Sequence, residues 1–446
     1  MERGIDSGVM DPCGTKPQGG VSRTSPKNQV KIMNKFAFRI QSIAFVVGSI
    51  FGAVNYSWSG TINAKSCAQT DVSSAISSAV VGDTVQIPAG SCSWSGVSIN
   101  KPIHLKGAGI GQTNITVSGI SITKQATGII RISGFSFSKS GGGNESKGIT
   151  IGGSWQAEPV IFQDNKFTIS NSGLFSLNVA GGVIIANNSF TGDWDDSFIQ
   201  PKDNTDSGNS WGTADTLGAR DTTGKRNHYI EGNNFYGGTN QGIDCDDSTR
   251  CVYRYNTLTY SSFNTHGMAT SPQGVRHFEV YNNTFIHNGE TSQIANQNWT
   301  IWIRGGTGVI YNNQIANVAG SYWGNKSELK FTIRGAEDAR PQGSCSNVKY
   351  PVPRQLGQNH NGVSYFTDPI YIWGNTGTVG ADANWGWGNP CGLNWSTFFQ
   401  WGRDIVNTGA PKPNYNPYTY PHPLLAQRGS LPPPSNLQTP ILNIQQ

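Results

Sequence analysis

Apolar and polar residues alternate with period two along much of the chain. From residue 160 onward the alternation recurs in one phrase: VIFQDNKF (160–167), VIIANNSF (183–190), HYIEGNNF (228–235), VYRYNTL (252–258), FEVYNNTF (278–285) and GVIYNNQI (308–315). Each phrase is a short strand with every second residue turned to one side, followed by Asn, a variable residue and an apolar residue. Asn165, Asn188, Asn233, Asn256, Asn283 and Asn313 mark the repeat, at intervals of 23, 45, 23, 27 and 30. A period in the low twenties with insertions is that of a solenoid, in which each coil buries its apolar face only against its neighbours. The interval of 45 is either two coils or one coil carrying a long loop. Asn suits such corners because it tolerates the left-handed backbone, and stacked amides can hydrogen-bond from coil to coil.

A second strand precedes most phrases: GITIGG (148–153), LFSLNV (174–179), SFIQP (197–201), GIDCDD (242–247), THGMAT (265–270) and WTIWIR (299–304). With a third short strand per coil, the pattern predicts an all-β protein, a single-stranded right-handed parallel β-helix. Its first coils are IHLKGAG (103–109), ITVSGISI (115–122) and IIRISGFSFS (129–138). Before them, residues 71–90 (DVSSAISSAVVGDTVQIPAG) begin with Asp71 as a helix cap, continue with apolar residues at helical spacing and stop at Gly82-Asp83. That helix is expected to cover the open end of the stack. The β-helix domain is expected over 65–423. The Pro- and Tyr-rich stretch 411–434 reads as an extended strap, packed at first and disordered beyond, with 424–446 as a tail.

Composition agrees with this architecture. Gly is abundant, at 56 residues, and charged residues make up only 13%, about half the usual ~25%. So few charges cannot clothe many exposed helices, while 36% hydrophobic residues exclude a disordered chain. Residues 1–64 carry seven Lys/Arg against three Asp/Glu, and the remainder carries 25 against 24. A nearly neutral body lacks the concentrated basic face of a nucleic-acid binder.

The apolar run 40–54 follows Lys35 and Arg39 and has the form of a secretory signal, with Met33 as a natural start. Its twelve residues from Ile43 to Val54 fall short of the ~20 that span a bilayer. Residues 1–64 are therefore expected to be a removable leader. The working protein is expected to be secreted, at the cell surface or periplasmic, monomeric, and without a stable membrane span. Removing the leader takes away Cys13 and leaves six cysteines, Cys67, Cys92, Cys245, Cys251, Cys345 and Cys391, an even set suited to disulfides. Cys245 with Cys251 is the first expected pair, Cys67 with Cys92 and Cys345 with Cys391 the next.

The capping helix followed by GDTVQIPAG, the KGAG turn and the recurring NNxF phrase resemble the pectin-lyase-like superfamily of right-handed β-helix proteins, over roughly residues 68–423. That superfamily contains pectate lyases, alginate- and chondroitin-type lyases and polygalacturonases. The resemblance implies an enzyme acting on an acidic polysaccharide, a lyase working by β-elimination before a hydrolase, with a non-catalytic glycan-binding or adhesin β-helix as the other reading. Lyases of the superfamily use Arg or Lys as base and calcium or another cation to neutralise the uronate carboxylate. The residues to fill those roles are Arg304 or Arg276 as base, His266 as proton donor, and Asp246 and Asp247, with Asp244, as calcium ligands. By their distance from the ladder Asn, Asp247 and Arg304 occupy equivalent stations two coils apart, with His266 on the coil between. At ~4.8 Å per coil the cluster spans roughly 10 Å of one face. Polygalacturonases place Asp-Asp, Gly-His-Gly and Arg-Ile-Lys on successive coils. This chain has Asp246-Asp247, Thr265-His266-Gly267 and Ile303-Arg304-Gly305, with its Asn204-Thr205-Asp206 inside an insertion rather than one coil upstream.

Two further features bear on chemistry. The insertion 191–227 holds seven Asp, readable as a cation or polysaccharide site or as a solvated loop of Asx turns. Trp is concentrated after residue 190, including Trp299, Trp302 and Trp373, and its ring faces suit sugars as well as they suit a packed cap.

Overall fold

The computed structural model describes residues 60–143, 147–179, 181–193, 197–202, 219–237, 241–246, 248–265, 275–287, 300–317, 329–331, 350, 355–361, 363–376, 379–381 and 399–426. The chain divides into two compact units, Met1–Ala53 and Val54–Gln446. The first lies outside the described residues, and the description that follows is of the second.

Among the described residues, strands from Thr84–Gln86 to Leu329–Phe331 visit three sheets in rotation. Sheet A has twelve strands, from Thr61–Asn63 to Ile405–Val406; sheet B has nine, from Gly90–Trp94 to Gln314–Asn317; sheet C has ten, from Val97–Ile99 to Val379–Ala381. All pair in parallel, which with the right-handed crossover rule makes a right-handed parallel β-helix. One antiparallel pair, Gln358–His360 with Tyr365–Thr367, stands apart from them. No helix among the described residues is long and apolar enough to cross a membrane.

Register is held by the interior stacks. On sheet B, Phe137, Phe167, Phe190 and Phe235 occupy one station on successive coils. Their rings stack at centroid distances of 5.3, 4.9 and 4.6 Å. Burying each such ring stabilises the fold by about 2–3 kcal/mol, and a one-residue slip would turn every one of them to solvent.

The Asn ladder runs unbroken beside them. The Oδ1 of each Asn accepts the backbone N–H and the amide of the Asn one coil before it, from Asn165 through Asn188, Asn233, Asn256, Asn283 and Asn313 to Asn375. Asn188 bonds directly to Asn233 and their coils pair strand to strand, so the interval of 45 is one coil with a long loop. The left-handed residue is not the ladder Asn but the one before it: Asp164, Asn187, Gly232, Tyr255, Asn282, Asn312 and Gly374 have φ between 53° and 65°. The bend and the ladder are therefore two adjacent jobs. On the coil where 265–270 was expected, the described sheet C strand is Ser262–Thr265, with Phe263 in the interior, and residues 266–270 lie outside the described residues.

Helix α1 (Gln69–Ser78) starts two residues before Asp71, with Ala68 as N-cap. Asp71 sits instead in the first turn, accepting from Ser66 Oγ at 2.6 Å, where its charge still favours the helix N-terminus. At the other end Lys101 Nζ donates to the carbonyls of Ile76, Ser77 and Ala79, groups the helix leaves unpaired. Val72, Ala75 and Ile76 are buried, and α1 packs against Thr61–Asn63, Gly90–Trp94 and Val97–Ile99, the outermost strand of each sheet.

Two of the expected disulfides are formed, Cys67–Cys92 and Cys245–Cys251. Cys345 and Cys391 lie outside the described residues.

Candidate functional site

Alternation along sheet C decides which side chains leave the core. Ile243 and Cys245 point inward, so Asp244 points out; Phe263 is interior and Asn264 exterior; Ile301 and Ile303 flank an outward Trp302. Gln200 and Lys202 hold the same face one coil earlier, three residues apart in register from the paired Ile199 and Ile243 to Lys202 and Asp246. The result is a polar line across successive coils: Lys202, Asp246, Asp244, Asn264, Trp302 and Arg304.

Its pairings are specific. Arg304 Nη2 lies 3.1 Å from Asp244 Oδ1, both side chains at most 3% exposed. Arg304 also donates from Nε to the Thr265 carbonyl at 2.6 Å, and its guanidinium lies 4.2 Å from the centroid of the Trp302 ring. Lys202 Nζ stands 3.7 Å from Asp246 Oδ2 and is 29% exposed. Asn264 is fully buried, and neither its Oδ1 nor its Nδ2 has a hydrogen-bond partner among the described residues. An amide in that condition costs about 1–3 kcal/mol.

The structure thus brings together three of the expected residues, Asp244, Asp246 and Arg304. Arg276 precedes the strand His277–Tyr281, is fully buried, donates its backbone N–H to the Thr249 carbonyl and points Nη2 at the His360 carbonyl, 3.4 Å away. Asp247 and His266 lie outside the described residues. Asp244 and Asp246 each face a cationic side chain, which neutralises a carboxylate by itself; among the described residues no group of three acidic, His or Cys side chains converges as a metal site would require. Of the insertion's Asp residues, Asp221 closes an Asx turn, accepting from Thr223 N, Thr223 Oγ1 and Arg226 N. Sequence reasoning missed Lys202 and Asn264. Lys202 lies 31 residues before its ladder Asn, because the insertion intervenes, so counting back from the ladder does not find it.

A second polar region covers sheet A. Its outer face carries an aromatic stripe in which Tyr311 stacks on Tyr281 at 4.7 Å and on Trp373 at 4.4 Å. The strap 411–425 lies on this face and is bonded to it throughout. Lys412 pairs with Asp368, Tyr415 Oη donates to Glu279, Arg254 donates to the Tyr418 and Thr419 carbonyls, Glu231 accepts from His422 N, and Arg131 donates to the Leu424 carbonyl. Arg254 is itself held by Glu231 at 2.6 Å, both buried. Burial pushes the Glu279 carboxyl up, but His277, Arg220 and Tyr415 together hold it below its usual range. Burial and then the Arg254 charge lower the His422 pKa to about 4.

No family model matches the chain, and no curated protein matches it by sequence. Among solved structures it is similar to the alginate lyase from Paenibacillus sp. str. FPU-7, at 11% identity and a TM-score of 0.34, over 73% of this chain and 98% of that one. It is also similar to an arginine-to-alanine mutant of the PL6 family alginate lyase AlyGC, at 14% identity and a TM-score of 0.29, over 80% of this chain and 52% of that one. On its own strand order and parallel pairing, the chain has a right-handed parallel β-helix fold.

Proposed function

We propose that the outer face of sheet C is the working face of a secreted enzyme that cleaves an acidic polysaccharide by β-elimination. The observation that carries the reading is the part-exposed Lys202 ammonium beside Asp246, on the outer face that also carries Asp244 and the half-buried Trp302. The Trp302 ring, half-buried on that face, offers the apolar surface on which a pyranose stacks. Lys202 supplies an exposed positive charge on the same line.

In the reaction a base takes the proton α to the uronate carboxylate, the C4–C5 double bond forms, and the C4 glycosidic oxygen leaves with a proton. A cation beside the carboxylate makes that proton acidic enough to remove. Arg304, buried against Asp244 and Thr265, positions the face; of the bases considered, Arg304 and Arg276 are both buried, which leaves Lys202 to meet substrate as base or as neutralising cation, with His266 as proton donor. Incubation with pectate, alginate or a glycosaminoglycan is expected to yield unsaturated products absorbing in the ultraviolet. New reducing ends without that absorbance would assign a hydrolase. Turnover that survives EDTA assigns the neutralising charge to Lys202; turnover lost with EDTA and restored by calcium assigns it to a metal held by Asp247 and its neighbours.

A second reading, a non-catalytic glycan-binding β-helix, draws on the burial of Arg304 and Asp244 in a bridge. It predicts binding without products of either kind, unchanged by Lys202→Ala in turnover assays because there is none to lose.

A further inference from the structure

Away from sheet C, the strap and the outer face of sheet A enclose a cleft of about 640 Å³. Three segments wall it: residues 156–159, residues 220–225 and the strap from Asn416 to Leu424. Its floor is Ile184 and Tyr229 on the sheet. The walls are in contact with each other through the strap, since Tyr418 Oη donates to the Asp221 carbonyl and Arg220 Nη2 to that of Asn416.

The chemistry of the lining is mixed in a particular way. Tyr229, Tyr418 and His422 meet edge to face, at 5.7 and 4.6 Å from the Tyr229 ring, and give the cleft aromatic surface next to Ile184 and Pro423. His422 Nδ1 accepts from Leu424 N, so the neutral ring carries its proton on Nε2 as a donor. Glu158 contributes a carboxylate acceptor, Thr222 an exposed hydroxyl, and Lys225 an exposed ammonium. Gly224, at φ 77°, lets the backbone pass close over the Tyr229 hydroxyl, because a Cβ there would come within 2.5 Å of that oxygen. Apolar ring surface with donors and acceptors around its rim is what a pyranose presents in complement, and the exposed ammonium selects a carboxylated one.

We infer that this cleft is a second carbohydrate site, on a different sheet from the proposed catalytic line, and that it binds a short acidic oligosaccharide without cleaving it. Stacking falls to the half-buried Tyr418 ring, braced from below by Tyr229, the carboxylate to Lys225, and ring hydroxyls to Glu158 and the His422 Nε2–H. The choice of an acidic sugar rests on Lys225 and is independent of whether the sheet C face cleaves.

The test is amide NMR of the full protein titrated with tetrasaccharides from pectate and alginate, and with a neutral glucan tetrasaccharide. The amides of Thr222, Thr223 and Gly224 report this cleft and not sheet C. They are expected to shift saturably with an acidic tetrasaccharide. Thr222→Trp, which fills the cleft from an exposed position, is expected to abolish those shifts, and Lys225→Ala to weaken binding about tenfold, the value of one charge-assisted bond. Neither is expected to alter the melting temperature or any release of ultraviolet-absorbing product. The inference is overturned if those amides stay put at saturating saccharide, if the neutral glucan binds as well as the acidic ones, or if deleting residues 427–446 moves the same amides with no saccharide present. The last outcome would give the cleft to the chain's own tail. Loss of product formation with intact shifts would instead sink only the sheet C reading.

Discussion

At the scale of single residues, two asparagines of this chain have opposite accounts. Asn233 is fully engaged: it accepts from Asn188 N and Nδ2 and donates to the Ile185 carbonyl and to Asn256. Asn233→Ala strands those buried groups and should cost about 2–4 kcal/mol, read as a lower denaturant midpoint with an unchanged slope. Asn264, buried with neither amide atom bonded among the described residues, is a liability to the free protein. Asn264→Ala is expected to raise stability by about 1 kcal/mol, read as a higher denaturant midpoint; a destabilised variant would show that the amide is bonded in solution. The ladder was legible because each Asn sits at a fixed place in an alternating strand. Asn264 was not, because SSFNTHG carries no ladder Asn of its own and its loop length sets its station. Asn375 was missed for a like reason, its coil lying 62 residues beyond Asn313.

At the scale of elements, the strap shows what composition conveys and what it leaves open. Pro and Tyr predicted an extended segment; they could not tell that sheet A would offer it Arg131, Arg254 and Glu231 as anchors, since those residues lie 165 to 293 positions away in sequence. Arg254→Lys keeps the charge but loses the fork that reaches Glu231, Tyr281 and two strap carbonyls at once. It is expected to cost about 3 kcal/mol and to make the strap the first site of proteolysis, as mass spectrometry of limited digests would reveal. Acid should act on the same element. His422 is held neutral down to about 4 against an ordinary 6.5, so the unfolded chain takes up its proton first. That contribution is whole above 6.5 and is lost as the pH falls towards 4; Glu279, whose carboxyl is also held low, adds a loss below its ordinary 4.5. The melting temperature should therefore drop between pH 7 and 4, and His422→Asn should flatten the upper part of that fall.

At the scale of the whole solenoid, the repeat gave its architecture away from sequence alone, down to the rotation of strands among three sheets. The candidate face was half legible. Arg304 and the Asp246-Asp247 pair were reachable by counting along coils, with Asp244 beside them as an expected cation ligand, whereas the burial that turns Arg304 and Arg276 away from solvent depends on contacts between coils. The strap adds something a repeat protein otherwise lacks. A stack whose coils touch only their neighbours behaves as a one-dimensional chain of weakly coupled units, able to fray from either end. Here one segment leaves the last coils and is bonded in turn to Asp368, Glu279, Arg254, Glu231 and Arg131, so that fraying at the C-terminal end releases anchors on coils far earlier. Cooperativity then becomes a property of a fifteen-residue ribbon (411–425) rather than of the stack: calorimetry of the full chain should give one transition, and a chain ending at residue 410 should melt over a broad range with a van't Hoff enthalpy well below the calorimetric one.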